Sequence, residues 1–213
     1  MKKIYLLIVI IFLVFSTTNA QFLRGWGIKV GATFAKQDWE YSSITTDLMN
    51  PDNRTGLNAG VFAEFLDAPF FSIVGELNYV QKGYSDNLIV TTPSNPDAEG
   101  VSTDYNLRID YINISVLAKL RYNLGVIRPY VVIGPKADFE TGKVFSLDFS
   151  DTVLDDFKKE RLGLKVGFGT EVNLITVTLL AEFIYDADFN ALYENNELEV
   201  NTNSFDLRIG IMF

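Results

Sequence analysis

The sequence predicts an all-β protein, an eight-stranded antiparallel up-and-down transmembrane β-barrel. Apolar residues recur at every second position in eight segments, which is the period of a β-strand. The connections between these segments alternate between short and long, and the polar face of the segments carries balanced charges among many glycines. Short turns at one end and long loops at the other, with an even number of strands, are typical of barrels that cross a membrane.

Residues 1–20 have the three-part pattern of a secretory signal peptide. Two lysines give a positive start, residues 4–15 form an unbroken apolar run, and small residues ending at Ala20 follow it. A helix of this run would rise only about 18 Å, which is too short for a hydrocarbon core of roughly 30 Å. We therefore expect cleavage before Gln21, which leaves 21–213 as the barrel domain.

Each of the eight segments is long enough for the roughly 9–11 residues that a tilted membrane strand needs. The predicted strands are 26–36, 55–65, 71–84, 105–122, 128–139, 160–172, 175–185 and 205–213. Within them, apolar residues alternate with polar or small ones from Trp26 to Phe34, Leu57 to Phe65, Phe71 to Tyr79, Ile112 to Leu120, Val131 to Phe139, Leu162 to Val172, Val177 to Tyr185 and Phe205 to Phe213.

The connections and the aromatic residues fit two membrane interfaces. The short connections are 66–70, 123–127 and 173–174, and the long ones are 37–54, 85–104, 140–159 and 186–204. Aromatic rings are expected at the level of the lipid headgroups. They collect at the short-turn end as Trp26, Phe65, Phe70, Phe71, Tyr122, Tyr130 and Phe213, and at the long-loop end as Phe34, Tyr84, Phe139, Tyr185 and Phe205.

The polar face predicts a lumen filled by paired charges. Glycine weakens a strand by about 0.5–1 kcal/mol, so a water-exposed face gains nothing from this many glycines, whereas a narrow lumen needs the space. Buried charges also need partners. The predicted lumen charge network is Lys29, Lys119, Arg121, Lys136, Lys165, Arg208, Glu64, Glu76, Asp138, Glu171, Glu182 and Asp206. The alternative is a soluble lipocalin-like barrel whose apolar face points inward.

Composition excludes several classes of function. Histidine and cysteine are absent, which removes imidazole bases, thiolate nucleophiles and the usual zinc ligands. The inward carboxylates are better explained as partners of lysine and arginine than as glycosidase acids. A net charge of −9 disfavours nucleic acid as a partner. We expect no enzyme and no cofactor, and because eight strands leave an interior that side chains fill, a narrow channel is only an alternative.

The four long loops together hold 18 acidic and 4 basic residues, which favours cations or basic proteins as partners. The last loop also carries a weak calcium candidate with spacing similar to that of an EF-hand. Ala191 stands where that pattern needs glycine, and the flanking segments are strands. The candidate ligands, with Glu194 at the remaining position, are Asp186, Asp188, Asn190 and Glu197.

Several stretches resemble the PorT-like outer-membrane β-barrel family of Bacteroidetes. They are 110–119 (DYINISVLAK), 128–135 (RPYVVIGP), 163–171 and 180–185, and Phe213 resembles the terminal signal read by the barrel assembly machinery. Ser115 departs from the family, which usually has proline there. The resemblance implies an integral outer-membrane protein of a Gram-negative cell with eight strands. It implies no catalytic residue, and it adds an accessory role in protein secretion as an alternative.

Together these features predict a signal-bearing barrel in the cell outer membrane. Its expected partners are outer-membrane lipids, the assembly machinery during biogenesis, and a cation or protein at the extracellular loops. We expect it to act as a structural or interaction protein whose acidic loops are held by a filled scaffold, because function tends to lie on loops that rigid strands position.

Overall fold

The computed structural model describes residues 22–41, 52–90, 101–145, 158–194 and 198–213. In these ranges the chain forms strands joined by turns, and no helix is long and apolar enough to cross a membrane. The strands are β1 (Leu23–Tyr41), β2 (Asp52–Phe65), β3 (Phe71–Val90), β4 (Val101–Arg121), β5 (Ile127–Phe145), β6 (Glu160–Asn173), β7 (Thr178–Asp188), β8 (Tyr193–Glu194) and β9 (Leu198–Met212).

Eight long strands close into a ring. Each pairs antiparallel with its neighbour along the chain, and β1 closes the ring on β9 from Gly27 opposite Met212 to Tyr41 opposite Leu198. The two-residue β8 continues the wall where β7 has ended, because it pairs with the first residues of β9. The predicted eight-stranded up-and-down barrel is confirmed. Closure leaves no sheet edge, which is the condition for strands in a hydrocarbon environment.

Seven of the eight long strands extend further than predicted at the end that carries the long loops, here called the loop end. β1, β3, β5 and β7 end at Tyr41, Val90, Phe145 and Asp188, and β2, β4 and β9 begin at Asp52, Val101 and Leu198. The predicted strand ends lay where the apolar alternation stops. This alternation reflects contact of the strand with lipid, so its end marks the limit of lipid contact and not the end of the strand. Backbone pairing does not depend on apolar side chains, so the strands continue beyond that level and the long loops are shorter than predicted.

The opposite end, here called the turn end, has three tight connections. The last of them occupies 174–177, so β7 begins at Thr178 rather than at residue 175 as predicted. Leu174 N donates to the Val177 carbonyl at 2.9 Å and closes this turn. In the turn after β4, Gly125 has φ +89°, a conformation that favours glycine, and its N–H donates to the Asn123 side chain at 3.0 Å.

The apolar face of the wall points outward. Ile28, Val30, Val116 and Ile209 are representative, with exposures of 51%, 47%, 52% and 64%. Charged residues on the same strands alternate with them and are buried inside the ring. The alternative of a soluble barrel with an apolar interior is therefore wrong, since the outer surface is the one that lipid would solvate.

Aromatic rings surround both ends of the outer surface, with two exceptions. Trp26 packs against Phe213 at the turn end with ring centroids 5.3 Å apart, and Tyr185 packs against Phe205 at the loop end at 5.0 Å. Tyr84 and Tyr130 lie near strand ends but are 4% exposed and point into the lumen, which for Tyr130 agrees with its place on the predicted polar face of the segment 128–139. Their even positions on β3 and β5 put them on the inward face, which outweighs their closeness to strand ends.

Glycine permits the tight curvature of this wall. A Cβ atom added at Gly27 or Gly31 would lie 2.0 Å from a backbone carbonyl oxygen of β9. Glycine also leaves space for lumen side chains, as predicted, because a Cβ at Gly163 would lie 2.5 Å from Cε of Lys136. The inward glycines therefore serve both the closure of a narrow ring and the packing inside it.

Candidate functional site: the charged lumen

The lumen concentrates the buried charge of the described residues. All twelve side chains predicted for the lumen network lie inside the ring, and none of these residues is more than 7% exposed. Five further charged residues lie with them, which brings the lumen to nine basic and eight acidic groups. The five additions are Arg24, Lys82, Arg161, Asp186 and Asp188.

A first layer of ion pairs, the turn-end tier, closes the lumen next to the short turns. Glu64 on β2 accepts hydrogen bonds from Arg24 at 2.5 Å, Lys119 at 3.0 Å and Arg121 at 2.5 Å. Glu171 on β6 accepts from Arg24 at 2.7 Å and also from Lys119. Two carboxylates from separated strands thus share the same cations, which holds both walls together.

A second layer, the middle tier, spans the full width of the lumen. Glu76 on β3 and Glu182 on β7 approach from opposite sides of the ring. Lys29 bridges them with distances of 2.7 and 2.8 Å, and Arg208 bridges them at 2.9 and 2.7 Å. Tyr130 on β5 donates to Glu182 at 2.7 Å. Charge-assisted bonds of this kind are stronger than neutral ones, and here they fill the cross-section.

A third layer, the loop-end tier, lies further toward the long loops. Lys82 on β3 contacts Asp138 at 2.9 Å and Asp186 at 3.2 Å. Lys136 on β5 contacts Asp138 at 2.8 Å and also pairs with Asp186 and Asp188. Each of these three carboxylates therefore contacts two cations. For Asp138 and Asp186 they are Lys82 and Lys136, and for Asp188 they are Lys136 and Arg161.

Aromatic rings connect the tiers. The Lys119 ammonium of the turn-end tier lies 4.2 Å from the centroid of the Tyr130 ring, whose hydroxyl belongs to the middle tier. The Lys29 ammonium lies 4.5 Å from the centroid of Phe62. Cation–π contacts at desolvated sites stabilise by about 2 kcal/mol or more. Tyr130 thus links the turn-end tier to the middle tier. Lys165 lies 3.7 Å from Glu76 and donates to Asn113, which donates to Asp138, so the network continues into the loop-end tier.

Apolar side chains close the lumen beyond the loop-end tier. This apolar lid consists of Tyr84, Leu107, Ile109, Tyr111, Leu192 and Val200. Leu192 comes from the segment between β7 and β8 and is fully buried. Its N–H donates to the Val200 carbonyl at 2.7 Å, and its carbonyl accepts from Lys158 N at 2.9 Å. The segment therefore lies in the wall beside β9, and the Leu192 side chain is buried among the lid residues.

The structure places the calcium candidates in different environments. Asp186 and Asp188 lie on β7, not in a loop, and their carboxylates pair with Lys136 inside the lumen. Asn190 follows the end of the strand, and Glu197 lies outside the described residues. Asp138, Asp186 and Asp188 bring carboxylate oxygens within 4.8 Å of one another, but lysine and arginine already occupy them. The two aspartates are accounted for as ion-pair partners.

Sequence reasoning missed five lumen charges for identifiable reasons. Arg24 precedes the predicted first strand, Arg161 precedes the alternation that begins at Leu162, and Lys82 follows the alternation that ends at Tyr79. Asp186 and Asp188 were assigned to the loop because β7 was ended at residue 185. The missing signal was present: Glu182, Asp186 and Asp188 keep the even phase of the inward face. Half of the other acidic residues in the predicted loops lie outside the described ranges.

The family comparison agrees with this architecture. The family model of the outer membrane protein beta-barrel domain matches residues 19–194. The chain is similar to Neisserial surface protein A (NspA), with 17% identity, 88% of this chain and 95% of that chain covered, and a TM-score of 0.48. OprG from Pseudomonas aeruginosa is 11% identical, with 91% of this chain and 98% of that chain covered and a TM-score of 0.47. Ail from Yersinia pestis, in complex with the heparin analogue sucrose octasulfate, is 15% identical, with 89% of this chain and 98% of that chain covered and a TM-score of 0.41. No curated protein matches the sequence.

Proposed function

The chain belongs to the outer membrane protein beta-barrel family, and from that premise we propose that it is a closed outer-membrane anchor for its extracellular loops. The observation that carries this proposal is the middle tier. Glu76 and Glu182 extend into the lumen from opposite walls. Lys29 and Arg208 each form salt bridges with both carboxylates. Side chains held at hydrogen-bond distance across the lumen support a closed barrel.

The loops supply the working surface in this proposal. The segments 37–54 and 85–104 carry eight acidic residues and one basic residue, so they attract cations or basic protein surfaces. A filled barrel fixes the loop ends without contributing chemistry of its own, which supports an interaction protein rather than an enzyme. The lipid-facing wall and the terminal Phe213 support outer-membrane lipids and the assembly machinery as the remaining partners.

Two finer assignments accompany the proposal. Export by a signal peptide cleaved between Ala20 and Gln21 predicts that the mature protein begins with Gln21, which N-terminal sequencing of the membrane-extracted protein tests. Membership of the PorT-like group rests on the stretches 110–119 and 128–135. This membership predicts that components of a secretion system co-purify with the protein after gentle solubilisation. If no such component is recovered even after crosslinking in cells, the accessory role in secretion is contradicted, whereas the anchor function is unaffected.

Liposome swelling separates an anchor from a narrow channel. Liposomes that contain the folded protein are expected to swell in arabinose no faster than protein-free liposomes, because the three tiers block the lumen. Swelling above that baseline contradicts the proposal and favours the channel.

Loop function needs a separate assay. Neutralising Asp86, Asp97, Glu99 and Asp104 to asparagine or glutamine is expected to reduce the binding of a basic probe protein such as cytochrome c to intact cells. The matched control replaces four uncharged residues of the same loop, Asn87, Thr91, Thr92 and Asn95, with alanine and leaves its charge unchanged. Equal binding by the two variants would remove the electrostatic role of the loops.

A further inference from the structure

The short connections at the turn end are apolar. They occupy 66–70, 122–126 and 174–177. Asp67 is their one charged residue, and Phe70, Leu124 and Ile175 are 66%, 62% and 104% exposed. Turns that project into water are built mainly from Gly, Pro, Asn, Asp and Ser. The turn end of this barrel therefore exposes a large apolar surface, and such surfaces mark contact with a partner or a membrane.

This surface continues the lipid-facing wall. On β5, every outward residue from Ile127 to Phe139 is apolar. At ~3.4 Å per residue and a tilt of ~40°, these residues span about 31 Å, whereas the apolar band of an outer-membrane barrel is about 25 Å tall. Phe139 lies at the loop-end aromatic boundary, so the excess lies at the turn end. Ile127 and the adjacent turns are therefore at the depth of the lipid headgroups.

One arginine at this depth has no partner. Arg128 on β5 is partly exposed and forms no salt bridge with the residues that the structure describes, and its Nε atom lacks a hydrogen-bond partner. The carboxylates of the turn end are already paired with other cations. These carboxylates are Glu64, Asp67 and Glu171, and their partners are Arg24, Lys119 and Arg121. Arg128 thus adds one uncompensated positive charge to the side chains of the turn end.

Hydrogen-bond donors and apolar side chains lie together around Arg128. This residue lines two pockets at the turn end, with volumes of about 270 and 280 Å³. Asn173 lines the second pocket, where its Oδ1 accepts the Thr178 hydroxyl at 3.0 Å and its Nδ2 donor has no partner. Ile175 and Phe213 line the same pocket. A matching ligand has negatively charged acceptor oxygens next to hydrocarbon.

We propose that the turn end is a binding surface for phospholipid headgroups of the periplasmic leaflet, with the lipid phosphate bound by Arg128. The short turns of outer-membrane barrels face the periplasm. A guanidinium presents a fork of donors that matches phosphate oxygens, and Asn173 adds a further amide donor. The apolar turns contact the adjoining part of the acyl chains. This inference rests on the membrane location in the proposed function, and it adds the leaflet, the lipid group and the residue that binds it.

Lipid titration tests the phosphate contact. The folded protein in a neutral detergent is titrated with a short-chain phosphatidylglycerol, and bound lipid is counted by native mass spectrometry. Arg128→Gln should bind this lipid about fivefold more weakly than the wild type, which is the contribution of one basic residue at an anionic lipid surface. The matched control is Lys159→Gln, which removes one positive charge from an exposed loop-end residue and should bind like the wild type. Equal binding by Arg128→Gln and the wild type overturns the proposal.

Two further titrations identify the source of the phosphate. Diacylglycerol of the same chain length lacks phosphate and should bind equally to the wild type and to Arg128→Gln. A difference with this lipid would show that the substitution disturbs apolar contacts, which overturns the assigned phosphate contact. Inorganic phosphate in excess should leave phosphatidylglycerol bound, because it lacks acyl chains. Displacement by inorganic phosphate would indicate a site for a soluble anion and would also overturn the proposal.

The depth of the turns gives a readout that leaves Arg128 intact. The chain has no cysteine, so Ile175→Cys introduces a single labelling site. In lipid nanodiscs, a fluorophore at this site should be quenched by phospholipid with a nitroxide on its headgroup and protected from aqueous iodide. Lys159→Cys at the loop end is the control that iodide should quench. Equal iodide quenching at both sites overturns the proposal. Neither readout depends on liposome swelling or on loop binding, so its failure is distinguishable from failure of the anchor function.

Discussion

The middle tier and the neighbouring part of β9 satisfy buried polarity in different ways. In the middle tier, carboxylates and cations from opposite walls meet directly, and Glu76 lies within 4 Å of Lys29, Lys165 and Arg208. Two residues before Arg208 on β9, Asp206 accepts from the Thr33 hydroxyl and forms no salt bridge among the described residues. The first arrangement joins opposite walls of the barrel. The second leaves a buried carboxylate without a counter-charge, so burial of charge and pairing of charge are separate properties of this lumen.

The largest expected effect comes from removing Glu76, the carboxylate that contacts three cations in the middle tier. Glu76→Ala leaves Lys29 and Arg208 with one carboxylate instead of two in a buried site, and the free energy of unfolding should fall by about 3–5 kcal/mol. Urea unfolding in lipid vesicles measures it. Glu160→Ala, at an exposed glutamate, is the matched control and should stay within about 0.5 kcal/mol of the wild type. Similar losses for both variants would mean that the middle tier does not stabilise the barrel.

The contrast between lumen and outer wall predicts the next effect. Val116 lies on the outer surface of β4, midway between the two aromatic ends, and Val116→Arg places a charge in the hydrocarbon region. The loss of folding free energy should be about 2–4 kcal/mol. The same substitution at Val144, which is equally exposed but lies beyond Phe139 on β5, should cost about 0–1 kcal/mol. Equal costs would contradict the assigned membrane boundary.

The apolar lid gives a smaller effect. Leu192→Ala removes a fully buried side chain from the lid and should cost about 2 kcal/mol, the lower end for a buried leucine, because a loop segment relaxes into the space. The control is Leu174→Ala at an exposed turn position, with little expected change. A barrel that is equally stable with both substitutions would show that the lid is not packed in solution.

The smallest effect tests whether one ion pair is replaceable. The double variant Lys119→Met with Glu171→Leu removes both members of a pair, while Glu64 keeps Arg24 and Arg121 as partners. Replacing a complete buried pair with apolar groups is often neutral, so the double variant should be more stable than either single variant. A thermodynamic cycle from urea unfolding gives the coupling. Additive single effects would contradict direct pairing.

The sequence predicts strands well because lipid imposes strict alternation. The eight segments and all twelve proposed lumen charges follow from one rule, the two-residue period, applied between Trp26 and Phe213. The rule fails where lipid contact ends. Beyond that level β1 and β9 keep pairing through polar residues, and Asp186, read as a loop residue, continues the inward phase and lies in the lumen.

Other features depend on long-range geometry that no local pattern records. Leu192 is an apolar residue in an acidic segment, which is a weak signal, and its burial depends on how that segment folds back toward Tyr84 and Tyr111. The phase of β9 places Asp206 inside but does not say that its neighbours on β1 lack a cation. Which charges pair across the lumen follows from strand tilt and closure, and these are properties of the ring as a whole.

Single-channel recording in planar lipid bilayers tests the central claim, that ion pairs across the lumen close this barrel. The wild-type protein should give no stable conductance steps above the bare bilayer. The double variant Glu76→Ala with Arg208→Ala removes two of the four side chains that form the ion pairs of the middle tier and should give measurable steps. Stable open steps from the wild-type protein would contradict the account, because the network would then not close the lumen.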